Sequence, residues 1–102
     1  MKPTGGNLGM VVNVPLRRTV TVANPAGLHM RPATAFAQCA RGYRAAVTVW
    51  NGTKRADGKS SLDLILLVAL PGDVLVVEAD GDDAPDALNR LADLLADPGD
   101  GF

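Results

Sequence analysis

The spacing of hydrophobic and polar positions changes several times along the chain, and each change marks an element. Thr19 to Ala23 alternates, with Val20 and Val22 set against Thr19 and Thr21, which predicts a strand. Asn24-Pro25-Ala26-Gly27 is a loop signal. From about Met30 to Arg41 the period lengthens. Ala33, Phe36, Ala37 and Ala40 stand at i, i+3, i+4 and i+7, the apolar face of a helix. Gly42 lies just past its end, where a C′ glycine belongs. Arg44 to Trp50 reads as a strand, Asn51-Gly52 as a hairpin turn and Thr53 to Ala56 as the short return strand. After the Asp57-Gly58 turn, Ser60 to Leu70 is predicted as a second helix. Its leucines would also suit a buried strand, but its length and its opening favour helix: Ser60-Ser61-Leu62-Asp63 is a capping-box-like S-x-x-D. Pro71-Gly72-Asp73 ends it, and Val74 to Ala79 is a further strand. Beyond the acidic turn Asp80 to Asp83, a last helix spans about Ala84 to Ala96, with Ala87, Leu88, Leu91, Leu94 and Leu95 facing inward. Asp82 or Asp83 is its expected cap, and Asp83 and Asp86 suit its N-terminal dipole.

The order is β-α-β-β-α-β-α, without an internal repeat. The hairpin makes the sheet mostly antiparallel. The expected architecture is α+β: a two-layer open-faced sandwich, a four-stranded antiparallel sheet with three helices on one face. Residues 1–16 have no clear period and contain Gly5, Gly6 and Gly9, which suggests a flexible or loosely attached arm. Residues 17–97 would form the domain and 98–102 a frayed tail.

Composition narrows the function classes. A chain of 102 residues, 47% apolar and 21% charged, fits one domain with a modest core. A single cysteine excludes an internal disulfide and a thiolate metal cluster. Cys39, off the centre of the first helix's apolar stripe and without an activating neighbour, reads as a packing residue. The longest apolar run, Leu64 to Pro71, is far short of a membrane span, and Met10 to Val12 is too short for a signal peptide. The expectation is a cytoplasmic protein with no membrane insertion, no metal and no cofactor.

Charge is uneven along the chain. Residues 1–60 carry nine basic side chains and one acid, whereas residues 61–102 carry one base, Arg90, and ten acids. Two arrangements follow: separate faces, of which the basic one would attract an acidic partner or a phosphate, or interleaved halves whose charges average out. The scattered bases and the unspaced Phe36, Tyr43, Trp50 and Phe102 argue against nucleic acid.

Candidate chemistry concentrates in Gly27-Leu28-His29-Met30-Arg31-Pro32-Ala33, around the only histidine. His29 stands where a glycine loop meets a helix. Gly27 lets the backbone turn without a Cβ clash. Pro32 pre-sets φ in the first turn, where a missing N–H costs nothing. The free N–H groups of Met30 and Arg31 are then available to an anion beside the imidazole. Arg31 adds a permanently charged fork that matches phosphoryl oxygens. These are the parts of an open site that accepts a phosphoryl group on a histidine and gives it up again.

The segment resembles the active-site signature of the HPr family, the histidine phosphocarriers of the phosphoenolpyruvate-dependent phosphotransferase system. The pattern Gly-Leu-His-x-Arg-Pro-Ala is met by Gly27 to Ala33, and Asn24 occupies a position common in one branch. Gly58-Lys59-Ser60, Glu78-Ala79-Asp80-Gly81 and the leucine-rich last helix also match, so the likeness runs from about Arg17 to Ala96. The resemblance implies the same open-faced sandwich. It implies that His29 takes a phosphoryl group on Nδ1 from phosphorylated Enzyme I and passes it to an IIA-type protein, with Arg31 steadying the phosphate. Such a carrier is a stoichiometric intermediate rather than an enzyme, and most simply a monomer.

The resemblance also implies regulation at Ser60, which matches a serine that a dedicated kinase, the HPr kinase/phosphorylase, modifies in many members. Ser60 is equally an ordinary N-cap, and Ser61 competes for both roles. Met30, Thr34, Gln38 and Arg41 on the first helix, with Leu62 and Ile65 on the second, are the candidate docking residues. Asp63 and Ser61 depart from the family pattern, and Asp63 is expected to add a negative charge at the docking rim. The alternative function is a mainly regulatory docking protein, acting through Ser60 in a kinase-linked or nitrogen-type pathway with little sugar transport.

Overall fold

A computed structural model describes residues 14–98. The seven elements are β1 (Leu16–Thr21), α1 (Met30–Arg41), β2 (Ala46–Asn51), β3 (Lys54–Asp57), α2 (Ser61–Leu66), β4 (Val74–Asp80) and α3 (Ala84–Ala96). Their order is the β-α-β-β-α-β-α read from the sequence. Most of the suggested N-terminal arm and residues 99–102 of the suggested tail lie outside the described residues. Leu16, counted in that arm, is instead the first residue of β1, where it pairs with Ala79 of β4.

The strands form one antiparallel sheet in the order β1-β4-β2-β3. Strand alternation decides which face the helices cover. Val20, Val47, Val49, Ala56, Leu75, Val77 and Ala79 are buried beneath them. The other face carries Arg17, Thr19, Thr48, Trp50 and Glu78 and stays partly or fully open. Because β4 lies between β1 and β2, the basic and acidic halves of the chain interleave. The Arg17 Nε–Glu78 Oε2 pair across β1 and β4, at 2.7 Å, is one result, and the Arg17 guanidinium also lies 5.3 Å from the centre of the Trp50 ring.

The helices follow their stripes. Ala33, Phe36, Ala37 and Ala40 of α1 are fully buried, joined by Pro32. In α3, Ala87, Leu88, Leu91 and Leu95 face inward as expected, together with Ala84 and Ala92, while Leu94 is only half-buried. Gly42 caps α1 in a right-handed conformation (φ −74°, ψ −8°), so the last turn closes without the left-handed glycine expected there.

Two further expectations fail for physical reasons. The helix predicted to Leu70 stops at Leu66. From Leu67 to Leu70 burial alternates, Leu67 and Ala69 in, Val68 and Leu70 out, which a helix cannot provide. The freed backbone groups find partners elsewhere: Asn51 Nδ2 donates to the Leu67 carbonyl at 3.1 Å, and Leu70 N–H to Asp73 Oδ2 at 2.9 Å. Asp83 does occupy the N-cap position of α3, yet its side chain makes no cap. Its two oxygens accept the backbone N–H groups of Arg44 (2.8 Å) and Ala45 (2.9 Å) instead. Those hydrogen bonds, the one from Arg44 foremost, hold the Asp83 carboxyl below its ordinary value against a partial loss of solvation.

Candidate functional site

The loop before α1 is built by backbone contacts. Asn24 Oδ1 accepts the Ala26 N–H at 2.9 Å, an Asx turn, and Gly27 N–H returns to the Asn24 carbonyl at 2.9 Å. Gly27 is buried at φ +72°. A Cβ there would stand 2.5 Å from the Ala69 carbonyl oxygen, so the position demands glycine twice over. That same carbonyl accepts the Leu28 N–H at 3.0 Å, and Leu28 is anchored in the core. The loop is thereby pinned to the segment following α2.

His29 is the N-cap of α1, in an extended conformation (φ −85°, ψ −172°), and its side chain makes no cap hydrogen bond. Its carbonyl accepts the Ala33 N–H at 3.0 Å, the first bond of the helix. Pro32 sits inside this first turn, and no acidic residue occupies it. Among the described residues, neither the Met30 nor the Arg31 N–H finds a hydrogen-bond acceptor, and the Arg31 guanidinium has no partner. His29, Met30 and Arg31 are all exposed. The arrangement presents an imidazole, two backbone donors at the positive end of a helix and a free guanidinium on one open rim, where an anion loses little hydration to reach them. Among the described residues no group of three or more His, Cys, Asp or Glu is placed to hold a metal ion. A groove of about 570 Å³ near β3 and α2, lined by Arg44, Arg55, Lys59 and Asp63 among others, includes no residue of the His29 loop.

The remaining candidates lie along α1 and α2. The two helices run antiparallel: the start of α1 is tied to Ala69, past the end of α2. The end of α1 is tied to the start of α2 by Arg41 Nε donating to the Lys59 carbonyl at 3.0 Å. Arg41 is thus a bridge as well as an exposed cation. Met30, Thr34, Gln38 and Arg41 follow one side of α1, with Met30, Gln38 and Arg41 exposed and Thr34 half-buried. On α2, Leu62 is exposed, whereas Ile65 is half-buried against the core. Sequence reasoning missed Leu66, Val68 and Leu70, all exposed, because it placed them on a longer helix.

Ser60 is the N-cap of α2, and its Oγ accepts the Asp63 N–H at 3.2 Å. The reciprocal half of a capping box is missing. Asp63 Oδ2 accepts the Asp57 N–H at 3.2 Å, which turns this carboxylate toward the β3–α2 turn. Asp63 is half-buried there. Ser61 is half-buried beside Ser60.

The family model for the PTS HPr component phosphorylation site matches residues 16–97. The chain belongs to the HPr family. It is an HPr-type phosphocarrier of the phosphotransferase system. Over 71 residues it is 48% identical to a multiphosphoryl transfer protein of Xanthomonas campestris pv. campestris, a match covering 70% of this chain but 8% of that much longer protein. It is 35% identical over 80 residues to the phosphocarrier protein HPr of Neisseria meningitidis serogroup A, covering 78% of this chain and 90% of the relative. The crystal structure of a phosphocarrier protein HPr from Bacillus anthracis superposes with a TM-score of 0.78 at 29% identity, over 81% of this chain and 99% of the other. No described helix is long and apolar enough to cross a membrane.

Proposed function

We propose that His29 is the phosphoryl acceptor, taking the group from phosphorylated Enzyme I and delivering it to an IIA-type protein. The observation that carries this reading is the exposed His29 imidazole at the head of α1, beside the unpartnered Met30 and Arg31 N–H groups and a free guanidinium. The Nδ1 lone pair attacks phosphorus, the N–P bond to His29 forms, and the bond from phosphorus to the donor breaks with its electron pair leaving on the donor. Arg31 and the helix terminus balance the phosphoryl charge in both directions of transfer. An open rim suits this task, since donor and acceptor proteins must reach the same atom in turn. In this reading the carrier is a cytoplasmic monomer with no catalytic pocket of its own.

The test is transfer of phosphate from phosphoenolpyruvate through purified Enzyme I. Wild type should acquire an acid-labile, alkali-stable phosphate, and a folded His29→Ala variant none. Labelling of His29→Ala equal to wild type would place the acceptor elsewhere.

Ser60 is the proposed regulatory acceptor, supported by its position at the opposite end of the α1–α2 pair, beside Lys59 and the Arg41 bridge. Phosphate there is compatible with a helix N-terminus and adds about −1.5 to −2 charge to the docking face. Incubating Ser60→Ala and Ser61→Ala with an HPr kinase separates the two serines: label should vanish in the first and persist in the second.

A further inference from the structure

Asn51 is a polar residue whose place the local structure does not explain. Asparagine before glycine ordinarily serves a hairpin turn. Here the β2–β3 register pairs Asn51 with Lys54, so the two turn residues are Gly52 and Thr53. Asn51 is the last residue of β2, a position in which asparagine is disfavoured, and its φ is not positive. Alternation sets it on the same face as the buried Val47 and Val49. There it is half-buried, and its amide nitrogen donates twice: to the Leu67 carbonyl at 3.1 Å and to Asp73 Oδ2 at 3.4 Å.

Those acceptors bracket a strained segment. Val68 has φ +50°, the one positive φ at a described non-glycine residue. Cβ crowds a neighbouring carbonyl there, and a β-branched residue tolerates it poorly. Such a conformation persists only where its surroundings over-determine it. The Val68 side chain is 59% exposed, so the constraint must come from the backbone. The peptide unit entering Val68 is held at both polar atoms: its carbonyl, on Leu67, by Asn51, and its N–H by the Ile65 carbonyl at 3.1 Å. The far end of the segment is tied to the chain just past β1, where the Val22 N–H donates to the Asp73 carbonyl at 2.8 Å. Between these ties, the Ala69 carbonyl accepts the Leu28 N–H at 3.0 Å and fills the space beside Gly27.

We propose that Asn51 is a positioning residue for phosphoryl transfer at His29. By holding the Leu67–Val68 peptide it keeps Val68 left-handed, and so aims the Ala69 carbonyl at the loop that carries the histidine. The proposal rests on the carrier reading above. The relay runs from the Asn51 amide through the Leu67 carbonyl, the Val68 backbone and the Ala69 carbonyl to the Leu28 N–H, one residue from His29. Loosening it lets the imidazole drift from its place beside the Met30 and Arg31 N–H groups. A misplacement of about 1 Å can slow a reaction by as much as ~100-fold.

Phosphoramidate, a small-molecule phosphoryl donor, tests this without a docked partner. Nδ1 attacks phosphorus, the N–P bond to His29 forms, and the donor's own P–N bond breaks with its electron pair on the nitrogen that departs as ammonia. In Asn51→Ala, the rate of His29 labelling should fall about fivefold or more. Hydrogen exchange should show the Leu28 N–H losing about fivefold more protection than the Val77 N–H of the central strand β4. Asn51→Val keeps strand propensity without the amide and should behave alike. Val68→Asn supplies the discriminating background, since asparagine takes the left-handed conformation more readily; there Asn51→Ala should change the rate by less than about twofold. Wild-type rates in Asn51→Ala and Asn51→Val overturn the proposal, as does a Leu28 amide protected as in wild type. So does an equal loss of rate in both backgrounds, which would make Asn51 a general tie between hairpin and core. Failure of wild type to take phosphate on His29 from phosphoramidate and from Enzyme I alike would instead overturn the carrier reading, and with it this one.

Discussion

At residue scale, the site depends on what is missing as much as on what is present. Gly27 has no Cβ, and the Ala69 carbonyl fills that space. Gly27→Ala combines a left-handed backbone with a 2.5 Å approach to that oxygen, so it should destabilise the fold by about 2 kcal/mol or more in denaturant titration. Phosphoryl acceptance should fall as well, since the Leu28 anchor shifts with the loop. Arg31 poses a different case. Arg31 is exposed and its guanidinium has no hydrogen-bond or ion-pair partner among the described residues, so Arg31→Ala should leave the melting midpoint unchanged. The same substitution should slow phosphoryl transfer by about 10- to 100-fold, because a charge-assisted donor to the transferring group is gone. Lysine should restore part of that rate, as a point charge without the fork geometry. A parallel drop in stability would mark Arg31 as structural.

At the scale of elements, what was legible in the sequence tracks how many demands each segment meets. The α1 stripe meets one demand, a core face at helical period, and it was read residue by residue. Phe36, fully buried at its centre, should cost about 3–5 kcal/mol on truncation to alanine. The segment from Ser61 to Leu70 meets two demands in succession, a short helix and then alternating burial, and a continuous run of apolar residues hides the change. The His29 loop was legible because glycine, histidine, arginine and proline each have a local reason to be there. Asp83 was not, because its partners are backbone N–H groups 38 and 39 positions away in the chain, a pairing no local pattern encodes. That clamp has a pH signature. The native Asp83 carboxyl ionises below its unfolded value, so its contribution is complete above the ordinary aspartate range and is lost as pH falls through the native value. The stability advantage of wild type over Asp83→Asn should therefore be full at neutral pH and shrink below about pH 4. An advantage that grows on acidification would mean the hydrogen bonds do not hold the charged form.

Across the whole molecule, distance separates the proposed phosphoryl acceptor from the proposed regulatory serine. His29 and Ser60 stand at opposite ends of α1, a helix of 12 residues, and hence roughly 18 Å apart along its axis. At physiological ionic strength the Debye length is about 8 Å, so a charge at Ser60 acts on the His29 phosphate only through a screened field. The proposed docking face between them is much closer: Leu62 and Asp63 follow Ser60 directly, and Arg41 is bonded to the Lys59 carbonyl beside it. A negative group at Ser60 should then weaken association with phosphoryl donors while leaving the bonded phosphate untouched. Ser60→Asp provides the test. Its KM as a substrate of Enzyme I should rise several-fold at low salt, and the rise should diminish as salt is added. Spontaneous hydrolysis of its phosphohistidine should proceed at the wild-type rate. Faster hydrolysis with an unchanged KM would mean that Ser60 communicates with His29 through the α1–α2 pair itself, by moving the Ala69 carbonyl that holds the loop, rather than through the surface the partners share.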